Sequence, residues 1–228
     1  MASLSDDGIA SRAAIANNLA TRAANTLQTL PVRLNPEWIL SLGAGIAQVA
    51  QCGATLLNDV LLASFDLRWP DLSAAASPIE TMWMLPKGQV GRVCATRALF
   101  ACRGQLARSV DSSVRRRARA MVGDATFTAL LALDRDRLST AGRALPGNDA
   151  DILSTGWSLL RDACSWKDER LRRLCDLMLP PSASRSDARR PAVPAIMSEH
   201  QQFIERLPHL FPEHSWLFGS EPARLISA

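Results

Sequence analysis

Between Asp149 and Leu179, apolar residues recur at alternating steps of four and three: Leu153, Trp157, Leu160, Cys164, then Leu171, Leu174 and Met178. Lys167 holds the one charged position in that series, and Ile152, Leu159 and Trp166 widen the stripe. This spacing predicts one long helix over 149–179. Its apolar side either packs within the chain's own bundle or forms a coiled-coil seam.

Gly88 to Leu133 reads as two helices joined at Val110-Asp111-Ser112-Ser113. At about 100° per residue, Leu99, Arg103, Leu106 and Val110 share a side with Arg92. Arg97 and Arg108 fall on the far side, and Cys94, Ala98 and Ala101 make a second, small-residue face. A helix apolar on two sides belongs in the middle of a bundle. Arg92 and Arg103 lie within the larger apolar face, and a buried guanidinium is costly unless paired. They are expected to meet carboxylates inside the chain, to snorkel to a rim, or to line a groove for an acidic partner. The second helix carries Arg115, Arg116, Arg117 and Arg119 beside an apolar stripe of Val114, Ala118, Met121 and Ala125.

Elsewhere the pattern is weaker and prolines punctuate it. Residues 1–30 are Ala-rich. Ile15, Leu19, Leu27 and Leu30 predict a weakly amphipathic helix, or a tail that orders on docking. Asn35 is placed to cap a helix with Pro36 at its first position. Glu37 to Leu67 reads as helix interrupted by Gly43, Gly45 and Gly53, and Arg68 to Pro78 as a loop. One or two helical turns are expected over Ile79–Leu85, and a helix over Asp124–Arg143. Residues 31–180 thus form a helical core domain. Residues 181–195 read as a flexible linker. A docking segment, 196–228, opens on a capping box, Ser198-Glu199-His200-Gln201. Its aromatic end holds Phe211, Trp216 and Phe218, which dock either on the chain's own bundle or on a partner.

Composition agrees with an all-α fold, an irregular multi-helix bundle. Leu and Ala number 67 and Val and Ile 18, and the 228 residues contain no tyrosine. The net charge of +4 is mild and its acids are dispersed, so charge alone does not demand nucleic acid. The 5 cysteines show no C-x-x-C spacing and read as buried free thiols of a reducing compartment. No apolar run is long enough to cross a membrane, and the first thirty residues do not read as a secretory signal.

The chemical motifs exclude more than they offer. Leu42-Gly43-Ala44-Gly45 begins like a dinucleotide-binding turn, but Gln48 stands at the third glycine position and no parallel strands surround it. His200, His209 and His214 lack the spacing of a metal site. No nucleophile–base arrangement and no phosphate loop stands out. The expectation is no catalytic residue, no metal, no cofactor and no small-molecule substrate. The candidate partner-binding residues are Arg115, Arg116, Arg117 and Arg119, with Trp216 and Phe218.

Two segments resemble the SctK family, which includes the HrpB4- and YscK-like proteins. One runs from Leu34-Asn35-Pro36-Glu37-Trp38 to Leu42-Gly43. The other runs from Leu85-Pro86 through the arginine helices to Met121-Val122-Gly123-Asp124. Pro212 to Leu217 is loosely similar to the family's C-terminal part. The resemblance implies a non-enzymatic cytosolic adaptor of bacterial type III secretion. Such an adaptor sits at the cytosolic face of the inner membrane through its protein partners. It joins the cytosolic domain of the inner-membrane ring to SctQ-type pod proteins of the sorting platform. A reading of a different class is a helical nucleic-acid-binding regulator that uses Arg115 to Arg119 on phosphates.

Overall fold

The computed structural model describes residues 6–67, 69–72, 77–133, 144–184 and 193–218, with the backbone alone for 6–16 and 193–197. The described residues form helices and no strand. The chain begins with α1 (Asp6–Gln28), α2 (Leu30–Arg33), α3 (Pro36–Leu40), α4 (Gly45–Cys52) and α5 (Ala54–Ser64). A 3-10 helix, Pro78–Met84, leads to α6 (Gln89–Ala101), α7 (Arg103–Arg108), α8 (Ser112–Val122) and α9 (Asp124–Ala132). Then follow α10 (Asp149–Arg161), α11 (Glu169–Met178), α12 (Pro181–Ser184), α13 (Val193–Leu210), a 3-10 turn at Pro212–His214 and α14 (Ser215–Phe218).

α6 is the axis. Ten of its residues, from Val90 to Ala101, are buried, Arg97 among them. α8, α9, α10, α11 and α13 pack around it. The small-residue face lets α10 approach most closely. Gly156 lies so near the Cys94 carbonyl that a Cβ there would sit 1.8 Å from its oxygen. Around this centre a single core runs from Leu19 of α1 to Phe218 of α14. The expected central helix is therefore present, but it stops sooner than its periodicity implies. Cys102 leaves helical geometry between α6 and α7, and Val110 is fully exposed ahead of the Asp111 cap.

The long helix expected over 149–179 is two helices. α10 ends at Arg161, and α11 begins after Asp168, whose carboxylate accepts the Arg170 amide at 3.0 Å. Trp166 takes a positive φ of 41° in the break and donates its indole N–H to the Arg161 carbonyl at 2.7 Å. An N-cap aspartate and an indole on the last carbonyl satisfy the end groups that a continuous helix would have paired. Cys164 and Trp166 still pack against the core across the break, so the apolar rhythm continues where the helix does not. Lys167 is exposed in the same break.

Other expectations hold. Asn35 caps α3, its side chain accepting from the Glu37 amide. Gly43 and Gly53 fall in the turns flanking α4, both with positive φ. Ile79–Leu85 falls on the 3-10 helix, opened by a capping box of Ser77 and Glu80 that the sequence reading did not pick out. The box expected at Ser198 is absent, because α13 is already under way from Val193. Of the expected linker, 181–184 forms α12, and 185–192 lies outside the described residues. The helix expected after Gly123 is α9 as far as Ala132. The rest of its expected span, 134–143, lies outside the described residues, as do Arg68 and the side chain of Ile15.

Candidate docking surface

α8 is held at both ends. The Asp111 carboxylate accepts the Ser113 amide at 2.7 Å, which caps the helix; the Ser113 hydroxyl, and then this amide, draw the carboxyl below its usual range. At the other end Arg92 donates from Nε to the Val122 carbonyl at 2.7 Å, placing a cation where the helix dipole favours one. Ala118 and Val122 are buried against the core, with Val114 and Met121 at its edge.

All four arginines singled out from the sequence lie on the open side of α8. Arg117 donates to the Gly147 carbonyl at 2.6 Å and stands 3.6 Å from Asp149. Arg119 pairs with Asp124 at 3.0 Å, its guanidinium 5.2 Å from the centre of the Phe127 ring. Arg115 has only a 3.5 Å approach to the Ala107 carbonyl, and Arg116 has no partner among the described residues. Exposed ion pairs are worth about 0–1 kcal/mol, so all four cations remain open to an incoming acid. Arg115 and Arg116 carry the surplus charge.

The aromatic end docks on its own bundle. Phe218 is buried, with the Phe211 ring 5.9 Å and the His214 ring 6.4 Å away. Trp216 is half-buried beneath the Arg22 guanidinium, 4.1 Å from its ring centre. Phe218 is therefore turned into the bundle, while Trp216 keeps part of its surface open beside Arg22 of α1.

The arginines of α6 meet acids of the C-terminal segment. Arg92 pairs with Glu213 at 2.6 Å, donates to Thr126 at 2.7 Å, and lies 5.1 Å from the Phe211 ring centre. Thr126 in turn donates to the Leu210 carbonyl. The guanidinium buried deepest is Arg97, which the helix angle places on the far side. It is fully buried under α13, bonded to Glu199 and facing Phe203. Arg103 sits over Phe100 at 4.4 Å and donates to its carbonyl. Beside Arg97, burial and the guanidinium charge push His200 down to about 4. Among the described residues no group of three His, Cys, Asp or Glu is arranged to hold a metal.

Sequence reading missed Glu199 and Glu213. The need for acids opposite the arginine helix was visible, but nothing in the spacing tied that need to residues more than a hundred positions away. Glu199 was instead assigned to a cap that does not form.

No curated protein and no solved structure matches the chain. A family model described as bacterial type III secretion protein (HrpB4) matches residues 9–213, from α1 to the 3-10 turn that holds Glu213. The chain belongs to the HrpB4 family of bacterial type III secretion proteins.

Proposed function

We propose that the chain is a non-enzymatic adaptor of the type III secretion apparatus. In this reading it stands at the cytosolic face of the inner membrane and joins the cytosolic domain of the inner-membrane ring to SctQ-type pods of the sorting platform. The observation that carries the reading is the arginine strip of α8, presented by a member of this family on a helix fixed at both ends. Arg115 and Arg116 present charge that the described residues leave uncompensated, a surface suited to an acidic protein face. No helix of the described residues is long and apolar enough to cross a membrane. In this reading attachment at the membrane runs through the protein partners.

Changing Arg115, Arg116 and Arg117 together to Glu tests it. None of the three is buried, so the variant should fold with an unchanged circular dichroism spectrum. It should lose capture of the ring domain or the pod protein in pull-downs from the native cell. Capture of both at the level of the natural chain would reject the α8 face as the interface. DNA binding that falls steeply with salt would point instead to a nucleic-acid role.

A further inference from the structure

A concave site lies where α2, α3, the start of α6 and the end of α11 come together. It encloses about 320 Å³. Arg33, Lys87 and Arg92 line it, and none of its lining residues is an acid. Glu213 compensates Arg92, which leaves Arg33 and Lys87 as the excess. Arg33 is held in place through Thr29 and the Leu85 carbonyl, whereas Lys87 is exposed. Leu34, Met121, Leu153 and Met178 give the site apolar walls. The first turn of α6 forms one side at Gly88 and Gly91. No side chain caps that turn and no acid lies in it, so its amides add to the positive potential. The site therefore combines a space sized for one or two apolar side chains with a cationic edge, where Arg33 bonds to the carbonyl of Leu85, two residues along the chain from Lys87.

We propose that this cavity takes a short acidic peptide segment of a protein partner. One apolar side chain would enter between Leu34, Met121 and Leu153. Flanking carboxylates would meet Arg33, Lys87 and the first turn of α6. Charge complementarity selects an acidic occupant, and the apolar walls select a peptide over a free anion. The site is distinct from the exposed arginines of α8 and supplies the second contact that a bridging protein needs. That the partner belongs to the secretion apparatus rests on the adaptor reading; the peptide chemistry does not.

The test presents the full chain to a random nonapeptide display library and measures the enriched peptides by fluorescence anisotropy. Enriched peptides should place Leu, Met or Phe beside Asp or Glu. Lys87→Glu should weaken them by roughly tenfold or more. Gly91→Met should do the same by narrowing the cavity. A Cβ at Gly91 meets only ordinary contacts, with Leu153 Cδ2 at 3.7 Å, so Gly91→Ala should fold and serves as the control for the backbone change. Arg115→Glu with Arg116→Glu should leave these peptides bound as before. The proposal is overturned if no peptide is enriched, if enriched peptides lack acids, or if Lys87→Glu and Gly91→Met, shown to be folded by thermal melting, bind like the natural chain. Binding to anionic vesicles that Lys87→Glu abolishes, with no peptide captured, also overturns it in favour of a lipid surface. Failure here together with loss of partner capture by the α8 variant would leave the adaptor reading standing.

Discussion

Asp176 concentrates three donors on one buried carboxylate. The Trp157 indole and the Ser184 hydroxyl each donate to one oxygen at 2.7 Å, and Arg172 donates to the other at 2.7 Å. Burial raises its pKa, and these donors pull it back. Asp176→Ala would strand the fully buried Trp157 N–H, at a cost of about 2–4 kcal/mol read as a lowered urea midpoint. Removing Glu199 with Ala takes away the carboxylate bonded to the buried Arg97 and should cost about 3–5 kcal/mol. Adding Arg97→Met to that variant should recover much of the loss, because two apolar groups then replace a half-broken pair. A double-mutant cycle of urea midpoints measures both effects. Thiol reactivity follows burial as well. Cys52 is exposed, while burial raises the thiol pKa of Cys94 and Cys175, and that of Cys164 to about 12. Brief alkylation of the native chain should modify Cys52 and spare these three, as peptide mass spectrometry would show. At this scale the sequence made the need for counter-charges legible from Arg92 and Arg103. It did not foresee the burial of Arg97, because helix angle locates a side chain without saying which distant element covers it.

Elements were legible where caps and periodicity agree, as at Asn35-Pro36 and Asp111-Ser112. They failed where apolar spacing outlasted the helix. The 149–179 stripe continues through Cys164 and Trp166, so spacing alone could not reveal that Asp168 starts a new helix. The signal available was the cluster of Asp162, Ser165 and Asp168, residues that favour caps over helix interiors. The pairing of α6 with α10 depends on the missing side chain at Gly156. Gly156→Ala would drive a methyl into the Cys94 carbonyl and separate the two helices. The expected cost is about 3 kcal/mol, near the upper end for overpacking, with a matching fall in melting temperature.

The whole molecule should be sensitive to mild acid. His200 is buried next to Arg97, and its pKa falls from 6.5 to about 4. The unfolded chain therefore takes up a proton here before the folded one does. The stability this histidine contributes is complete above about pH 6.5 and is lost as pH falls toward 4. Glu213, drawn below its ordinary 4.5 chiefly by its hydrogen bonds against an opposing burial effect, loses its share only at lower pH. The melting temperature should drop between pH 6.5 and 4.5, and less so in His200→Gln. At this scale the all-α class was legible from composition. The arrangement was not, because α13 and the aromatic end fill the core beside α6 and no local pattern announces a contact so distant in sequence.

The pairing of Arg92 with Glu213 and of Arg97 with Glu199 has a consequence for synthesis on the ribosome. The central helix emerges with its cations long before the acids that neutralise them have been translated. A nascent chain halted before Glu199 lacks the carboxylate that meets the buried Arg97 in the finished fold. Such a chain should stay sensitive to protease, and resistance should appear only once the stretch from α13 to Glu213 has left the exit tunnel. For this protein a part made well after the arginine helix is the part that lets the middle fold.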